Sequence, residues 1–293
     1  MKAQTAPSVL VEKPVVCGSI TLNVATLGEG PPVIFLHGFP EHWRAFGPMM
    51  KALSGHYHCI APDQRGFGQS QRPQDQQDYK IDTLADDIAN LIATLGYQQV
   101  DIVAHDWGGL VAWHFGSRHR DLVRRMVIFN APHPHCLQLA LDTDPAQRAA
   151  SSYAAQFAQA NSHMVFETKT ASETWDAFFG KDLAEGFLSQ EDKATQIAQW
   201  EQDGAWKSML KWYRAAGFDY SGNLGARRDP PDPVTVPTLL IWGKEDALFA
   251  PSALFGLGEI ALNCEIREIE GGGHCVFREH PTLCNRLVAE FLS

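Results

Sequence analysis

The chain has 293 residues, of which 45% are hydrophobic and 20% are charged, as in an ordinary globular protein. Its 24 Lys and Arg residues against 34 Asp and Glu residues give a formal net charge of −10. This acidic balance argues against nucleic acid and against an anionic membrane surface as partners, because phosphate groups attract clustered Lys and Arg.

The sequence carries no targeting or membrane-spanning signal. Its start, MKAQTAPSVLVEKPVV, lacks the apolar run of a signal peptide, and no stretch reaches the ~20 apolar residues needed to span a bilayer. The six cysteines form no C-x-x-C pair and no metal-binding spacing. We therefore expect free thiols, a cytoplasmic location and no metal ion.

Short apolar runs bounded by turn residues predict buried strands at 33–36, 57–61, 100–104, 126–129 and 238–242. Residues 81–92 place apolar side chains at helical spacing. Alternating strands and helices predict an α/β fold with a mostly parallel central sheet and helices on both faces. The looser alternation from Val15 to Leu27 suggests an antiparallel hairpin at one edge.

This alternation breaks at about residue 135. From there to about residue 230 the sequence has helix formers, aromatic residues and a helix-start pattern at 189–192, but no clear strand. A proline-rich run, Pro230-Pro231-Asp232-Pro233, precedes the next strand. We expect a core in two parts, 1–134 and 231–293, with a helical cap inserted at 135–230.

The stretch AHDWGG at 104–109 places Asp106 in a sharp turn between a predicted strand and a predicted helix. Small residues at both ends of such a turn expose the middle side chain and free the backbone N–H groups. An aspartate here is also a common helix N-cap. As a nucleophile it would attack while already ionised, given its ordinary pKa of about 3.9, and would form an alkyl ester. The substrate would then be an epoxide or a carbon bearing a halogen.

Two further residues complete a predicted catalytic triad. His274 follows three glycines after the alternating strand 266–270, where it can activate water to cleave the ester. Asp246 follows the strand 238–242 and is the predicted acid that orients the histidine, with Glu245 as its alternative. The order 106, 246, 274 is the order of triads in α/β-hydrolases.

The chain resembles the α/β-hydrolase family over nearly its whole length. Residues His37-Gly38-Phe39-Pro40 resemble its H-G-x-P oxyanion loop, and residues 63–70 resemble its D-x-R-G-x-G-x-S turn. The resemblance implies that the backbone N–H groups of Phe39 and Trp107 form the oxyanion hole. It also implies that His37 and Pro40 border the substrate.

Two cap motifs resemble the epoxide hydrolases of this family. Trp212-Tyr213-Arg214 matches their W-Y-R, whose tyrosine is one of two proton donors, and Tyr153-x-x-x-Phe157 resembles the other donor motif, with Ala158 in place of its Gln. The resemblance implies hydrolysis of an epoxide to a vicinal diol without a cofactor. We expect an apolar substrate, cap aromatics such as Trp175 and Phe178 along the pocket, and a monomer or a homodimer.

Proteins with three alternative functions resemble this chain. A haloalkane dehalogenase would use Trp107 and a cap tryptophan such as Trp175 to hold the halide, although Phe39 stands where that family has Asn. A haloacetate dehalogenase carries an arginine soon after the nucleophile, and residues 107–110 contain no cation. A ligand-binding α/β-hydrolase without catalysis usually lacks a triad member, whereas all three are present here.

Overall fold

The structure, a computed structural model, describes residues 9–223 and 231–293. Within these two stretches eight strands form one sheet: β1 (Val11–Cys17), β2 (Ile20–Leu27), β3 (Pro32–Leu36), β4 (His58–Pro62), β5 (Val100–His105), β6 (Val123–Phe129), β7 (Thr238–Gly243) and β8 (Cys264–Ile269). Their order across the sheet is β1-β2-β4-β3-β5-β6-β7-β8. Every strand predicted from an apolar run is present.

The sheet is mostly parallel, as predicted. Strand β2 pairs antiparallel with both β1 and β4, and every pair from β4 to β8 is parallel. The antiparallel hairpin at one edge is therefore confirmed. The carboxyl ends of the parallel strands lie along one edge of the sheet, where α/β proteins carry their sites.

The helices in the described residues are α1 (Gly47–Leu53), α2 (Ile81–Thr94), α3 (Trp107–Arg118), α4 (Pro134–Thr143), α5 (Pro145–Ala150), α6 (Ser152–Phe157), α7 (Met164–Glu167), α8 (Ala171–Ala184), α9 (Gln190–Trp200), α10 (Ala205–Met209), α11 (Lys211–Ala215), α12 (Leu257–Ile260), α13 (Val276–Glu279) and α14 (Pro281–Leu292). Short 3-10 helices span Trp43–Phe46, Gln76–Tyr79, Arg120–Leu122 and Pro251–Leu254.

Helices cover both faces of the sheet because successive side chains of a strand point in opposite directions. In β3, Ile34 and Leu36 pack in one apolar cluster with α2 and α3. Val33 and Phe35 pack in the opposite cluster with α1 and α14. The predicted α/β architecture, a mostly parallel central sheet with helices on both faces, is therefore confirmed.

Helices α4–α11 form an insertion between β6 and β7, and we call them the helical insertion. Its side chains reach core loops: the indole Nε1 of Trp200 donates to Pro40 O at 2.8 Å, and that of Trp212 donates to Arg65 O at 2.9 Å. Ser189 caps α9 through reciprocal hydrogen bonds with Asp192, which confirms the predicted helix start. Residues 224–230 of the predicted cap lie outside the described residues.

Two further expectations concern the cysteines and membrane-spanning helices. All six cysteines, each within the described residues, are free thiols. In the part of the chain that the structure describes, every helix is too short or too polar to cross a bilayer.

Candidate active site

Asp106 occupies the turn between β5 and α3 with φ 51° and ψ −123°, a conformation that is rare for residues other than glycine. Two glycines make this turn possible. A Cβ on Gly38 would lie 2.6 Å from the Asp106 side chain, and a Cβ on Gly108 would lie 2.1 Å from Leu36 O. The small residues of the motif are therefore required by the close approach of the β3 loop to the turn.

The Asp106 carboxylate faces the oxyanion loop and does not cap its own helix in the described residues. Oδ1 accepts a hydrogen bond from the backbone N–H of Phe39 at 2.8 Å, and the backbone N–H of the adjoining Trp107 helps to lower the pKa of the carboxylate. The side chain is buried. The structure thus brings together the two N–H groups predicted for the oxyanion hole and leaves Oδ2 for another partner.

That partner is His274. Its Nε2 lies 3.6 Å from Asp106 Oδ2, and its Nδ1 lies 2.9 Å from Asp246 Oδ2. His274 stands in the loop after β8, and Asp246 stands in the loop after β7. The imidazole therefore bridges the two carboxylates, in the geometry that a general base and its orienting acid require.

Asn130 supports this arrangement, a role that the sequence analysis did not assign to it. Its Nδ2 donates to Asp246 Oδ2 at 2.7 Å, and its Oδ1 accepts from the backbone N–H of Gly243 at 2.9 Å. The backbone N–H of Leu248 donates to Asp246 Oδ1 at 2.7 Å. The sequence signal for this role was an asparagine directly after a predicted strand. In the structure this residue has a φ of 37°, a value that asparagine adopts more readily than most residues.

The interactions among Asp106, His274 and Asp246 favour the charged form of these side chains. Burial raises the pKa of Asp106, but the hydrogen bond and charge of His274 outweigh burial and hold this pKa below its ordinary value. Burial lowers the pKa of His274, but the charges of Asp246 and Asp106 raise it to about 10. In the free protein at neutral pH the site therefore holds two carboxylates around an imidazolium.

Two tyrosines of the helical insertion face this cluster. Tyr213, on α11, packs its ring 5.0 Å from the Phe39 ring and 4.8 Å from the Trp107 ring. Tyr153, on α6, packs its ring 6.3 Å from that of Tyr213. The two residues lie about sixty positions apart in sequence, and the packing of short helices brings them over Asp106.

Both phenols stay protonated at neutral pH. Burial raises the pKa of Tyr213 well above its ordinary value, and the charges of Tyr153 and Asp106 raise it further. Burial also raises the pKa of Tyr153, and the charge of Asp106 adds to the effect. A neutral phenol beside a carboxylate can donate a proton to an oxygen that becomes negative during reaction.

A family model and several known proteins are similar to this chain over most of its length. A family model described as alpha/beta hydrolase fold matches residues 31–281. The AB hydrolase superfamily protein YfhM of Bacillus subtilis is 33% identical over 93% of this chain and 94% of its own length. Epoxide hydrolase 3 of Xenopus tropicalis is 33% identical over 90% of this chain and 72% of its own length. The crystal structure of a Bacillus megaterium epoxide hydrolase with an inhibitor has a TM-score of 0.89 at 28% identity, over 96% of this chain and 99% of that chain.

The chain belongs to the α/β-hydrolase family. Within this family its relatives include epoxide hydrolases by sequence and by structure. The motif resemblance noted in the sequence is therefore confirmed at the level of the family.

Four side chains were predicted to border the substrate of this α/β-hydrolase, and the structure places them differently. The Phe178 ring lies 6.0 Å from the ring of Phe39, whose backbone N–H binds Asp106, so Phe178 lies beside the candidate site. Trp175, also on α8, has different neighbours. Its ring centre lies 5.6 Å from that of Phe179, and the Lys193 Nζ lies 5.2 Å from its ring centre. Trp175 and Phe179 both line a cleft between the helical insertion and the core, so the structure does not bring Trp175 to the triad.

His37 and Pro40 hold loops of the α/β-hydrolase core. His37 Nδ1 lies 2.9 Å from Gly38 O, and its Nε2 accepts from the backbone N–H of Gln64 at 3.0 Å. Burial lowers the pKa of His37 to about 4, so its ring is neutral. The carbonyl of Pro40 accepts from Gln196 and from Trp200 on α9. These hydrogen bonds tie the two ends of the 37–40 loop to neighbouring segments.

His105 is a further buried residue of the site. Its Nε2 lies 3.0 Å from His274 O, and the two rings are 4.6 Å apart. Burial lowers the pKa of His105 to about 3, so this ring is neutral as well. In the described residues, no group of His, Cys, Asp or Glu side chains has the arrangement of a metal site.

Proposed function

We propose that the protein is an epoxide hydrolase that converts an apolar epoxide into a vicinal diol through an ester of Asp106. Residues 135–230 would form the cap domain, and residues 1–134 and 231–293 the two parts of the core. The observation that carries the proposal is the pair of neutral tyrosines over an ionised carboxylate. Opening an epoxide creates an alkoxide that must be protonated, whereas release of a halide needs no proton donor.

In the first step, Asp106 Oδ2 attacks one carbon of the epoxide and the bond from that carbon to oxygen breaks. Oδ1 stays in the oxyanion hole with the N–H groups of Phe39 and Trp107. The phenol of Tyr213 or Tyr153 transfers its proton to the departing oxygen. The product of this step is a hydroxyalkyl ester of Asp106 and a tyrosinate.

Once the ester has formed, the imidazolium of His274 gives its proton to the tyrosinate through solvent. In the second step the neutral imidazole takes a proton from water, and the resulting hydroxide attacks the ester carbonyl carbon. Formation of the ester removes the charge of Asp106, which is one cause of the raised pKa of His274. The imidazole therefore becomes easier to deprotonate when a base is needed, while Asp246 still orients it. Collapse of the tetrahedral intermediate breaks the ester bond, and the departing alkoxide takes the proton of the new Asp106 carboxyl group. The diol is released, and Asp106, His274 and the tyrosine are back in their starting protonation states.

The surroundings of Asp106 support an apolar substrate. The Phe39 ring lies 5.5 Å from Phe157 and 6.3 Å from Trp206, in addition to its contacts with Phe178 and Tyr213. For a mutant of the Bacillus megaterium enzyme, a structure is known with a naphthyloxy-propane diol product. An aromatic-lined pocket of this kind gains more from an aryl group than from a charged one. The free thiols are consistent with a cytoplasmic location.

The test is product formation by the purified protein from styrene oxide, with a chloroalkane and haloacetate in parallel samples. We expect diol from the epoxide and no halide from the other two. Asp106→Asn is the control, because asparagine tolerates the positive φ of this turn while it cannot attack as a carboxylate. Halide release without diol would replace the proposal by the dehalogenase alternative, and diol from Asp106→Asn would remove Asp106 from the mechanism.

A further inference from the structure

A buried ion-pair cluster joins three segments that border the active site, and we call it the clamp. Arg278 donates to Glu41 and to Asp182, with its Nη1 2.9 Å from Asp182 Oδ2. The side chains of Arg278, Glu41 and Asp182 are 7%, 8% and 17% exposed. Glu41 follows Phe39 in the oxyanion loop, Arg278 lies in α13 just after His274, and Asp182 lies in α8 of the helical insertion.

The guanidinium is also held between two rings. It lies 5.7 Å from the ring centre of Phe179 on α8 and 5.5 Å from that of Phe277 on α13. Phe277 in turn packs 4.9 Å from the His105 ring, which contacts His274. Arg278 therefore contacts the insertion on one side and the support of the catalytic histidine on the other.

The outer side of the clamp is not closely packed. A cleft of about 350 Å³ opens there between α8–α9 and the core, and Glu41, Phe179 and Arg278 are among its lining residues. Since this cleft separates the helix from the core, the Asp182–Arg278 pair is a main tie for this end of α8. Phe178, on the same helix, forms part of the wall against Phe39.

We propose that Arg278 is a positioning residue that holds the helical insertion closed over the active site by pairing with Asp182. In this position α8 keeps Phe178 against Phe39 and completes the apolar wall that binds the substrate. The ion pair with Glu41 attaches the same guanidinium to the oxyanion loop. The position of the apolar wall is therefore fixed relative to Asp106. The expected effect on KM rests on the proposed epoxide hydrolysis. The role of the Asp182–Arg278 ion pair in holding α8 does not.

The choice of variant follows from the charges of the clamp. Two carboxylates share one guanidinium, so removal of Arg278 would leave Glu41 and Asp182 buried without their cation, at a large cost in stability. Asp182→Ala instead leaves Arg278 paired with Glu41 and removes its ion pair with α8, while Phe179 stays beside the guanidinium. Asp176→Ala is the matched control, because Asp176 on the same helix pairs with Lys193 inside the insertion at 2.5 Å.

The first measurement is hydrogen exchange of the intact chain without substrate. We expect the amides of α8 to exchange about tenfold faster in Asp182→Ala than in the wild type, because this end of the helix opens locally. Asp176→Ala should stay close to the wild type, and Asp182→Glu, which keeps the charge, should restore slow exchange. Equal exchange of α8 in Asp182→Ala and Asp176→Ala would overturn the clamp. This readout is independent of any reaction, so failure of the proposed function would not affect it.

The second measurement is steady-state kinetics with styrene oxide. Loss of the apolar wall removes binding common to substrate and transition state, so Asp182→Ala should raise KM about tenfold and change kcat less than about twofold. If Asp182→Ala destabilises the chain, Asp182→Asn, of the same size, serves instead. A fall in kcat at unchanged KM would contradict a role in holding the wall closed.

Discussion

The core and the helical insertion position their reactive groups by different means. In the core, Asp106, Asp246 and His274 follow the carboxyl ends of β5, β7 and β8, and hydrogen bonds of 2.7–2.9 Å fix the two carboxylates. In the insertion, Tyr153 and Tyr213 stand on short helices and are placed by contacts between aromatic rings.

The placement of these groups depends mainly on local sequence in the core and mainly on tertiary packing in the helical insertion. Parallel strands bring their carboxyl ends to one edge, so residues after those strands meet whatever the details of packing. Ring contacts have no such backbone frame, and a change in one helix can move both phenols. We therefore expect substitutions in the core to remove chemical steps and substitutions in the insertion to weaken them.

The largest expected effect is on the core side. His274→Gln should keep the first step and stop the second, because the glutamine cannot accept a proton from water. We expect turnover to fall by at least about 10³-fold and the ester of Asp106 to accumulate after mixing with an epoxide. Intact-mass measurement would detect the added mass of one substrate. Unchanged turnover, or a turnover-dead variant without that adduct, would contradict the assigned order of steps.

The intermediate effect tests the insertion. Tyr213→Phe and Tyr153→Phe each remove a hydroxyl and keep the ring contacts, so single-turnover formation of the ester should slow by about 10- to 100-fold in each variant. The double variant should lose more than either single one, because one phenol can partly replace the other. Tyr79→Phe, whose hydroxyl binds Pro73 O away from the triad, is the control for loss of a buried hydroxyl. Full activity of the double variant would remove the tyrosines from the mechanism.

The smallest expected effect separates the two steps by pH. The pKa of Asp106 is held below its ordinary value, so the carboxylate stays ionised, and ester formation should persist, down to about pH 4. Hydrolysis needs neutral His274, and the charge of Asp246 favours the protonated form. Rapid-quench measurements between about pH 8 and pH 5 should therefore show hydrolysis slowing before ester formation does. Parallel loss of both rates would show that one group controls both steps.

The local patterns of the sequence predicted the core well. The strand runs, the glycines around Asp106 and the loop positions of Asp246 and His274 each depend on a few neighbouring residues, and the structure places these three side chains within hydrogen-bonding or near-contact distance. The part of the site that was missed is Asn130, whose role depends on contacts with a loop more than a hundred residues away.

The helical insertion was harder to interpret from sequence. Its helical character and the start of α9 follow from composition and capping, which are local properties. Which face of α8 points to the site is decided by packing against the core, so Phe178 reaches Phe39 while Trp175, three positions away, does not. The same applies to Arg278, which the sequence alone did not single out.

The α/β order of elements, the sharp turn at Asp106 and the residues after the strand ends can be predicted from the linear chain, because each depends on periodicity, glycine placement or strand direction. The tertiary structure decided which distant side chains meet. The Asp246–Asn130 pair, the tyrosines over the nucleophile and the clamp at Arg278 all join segments far apart in the chain. Such contacts depend on the packed arrangement of helices and loops, and one chain's linear pattern does not encode that arrangement in any short stretch.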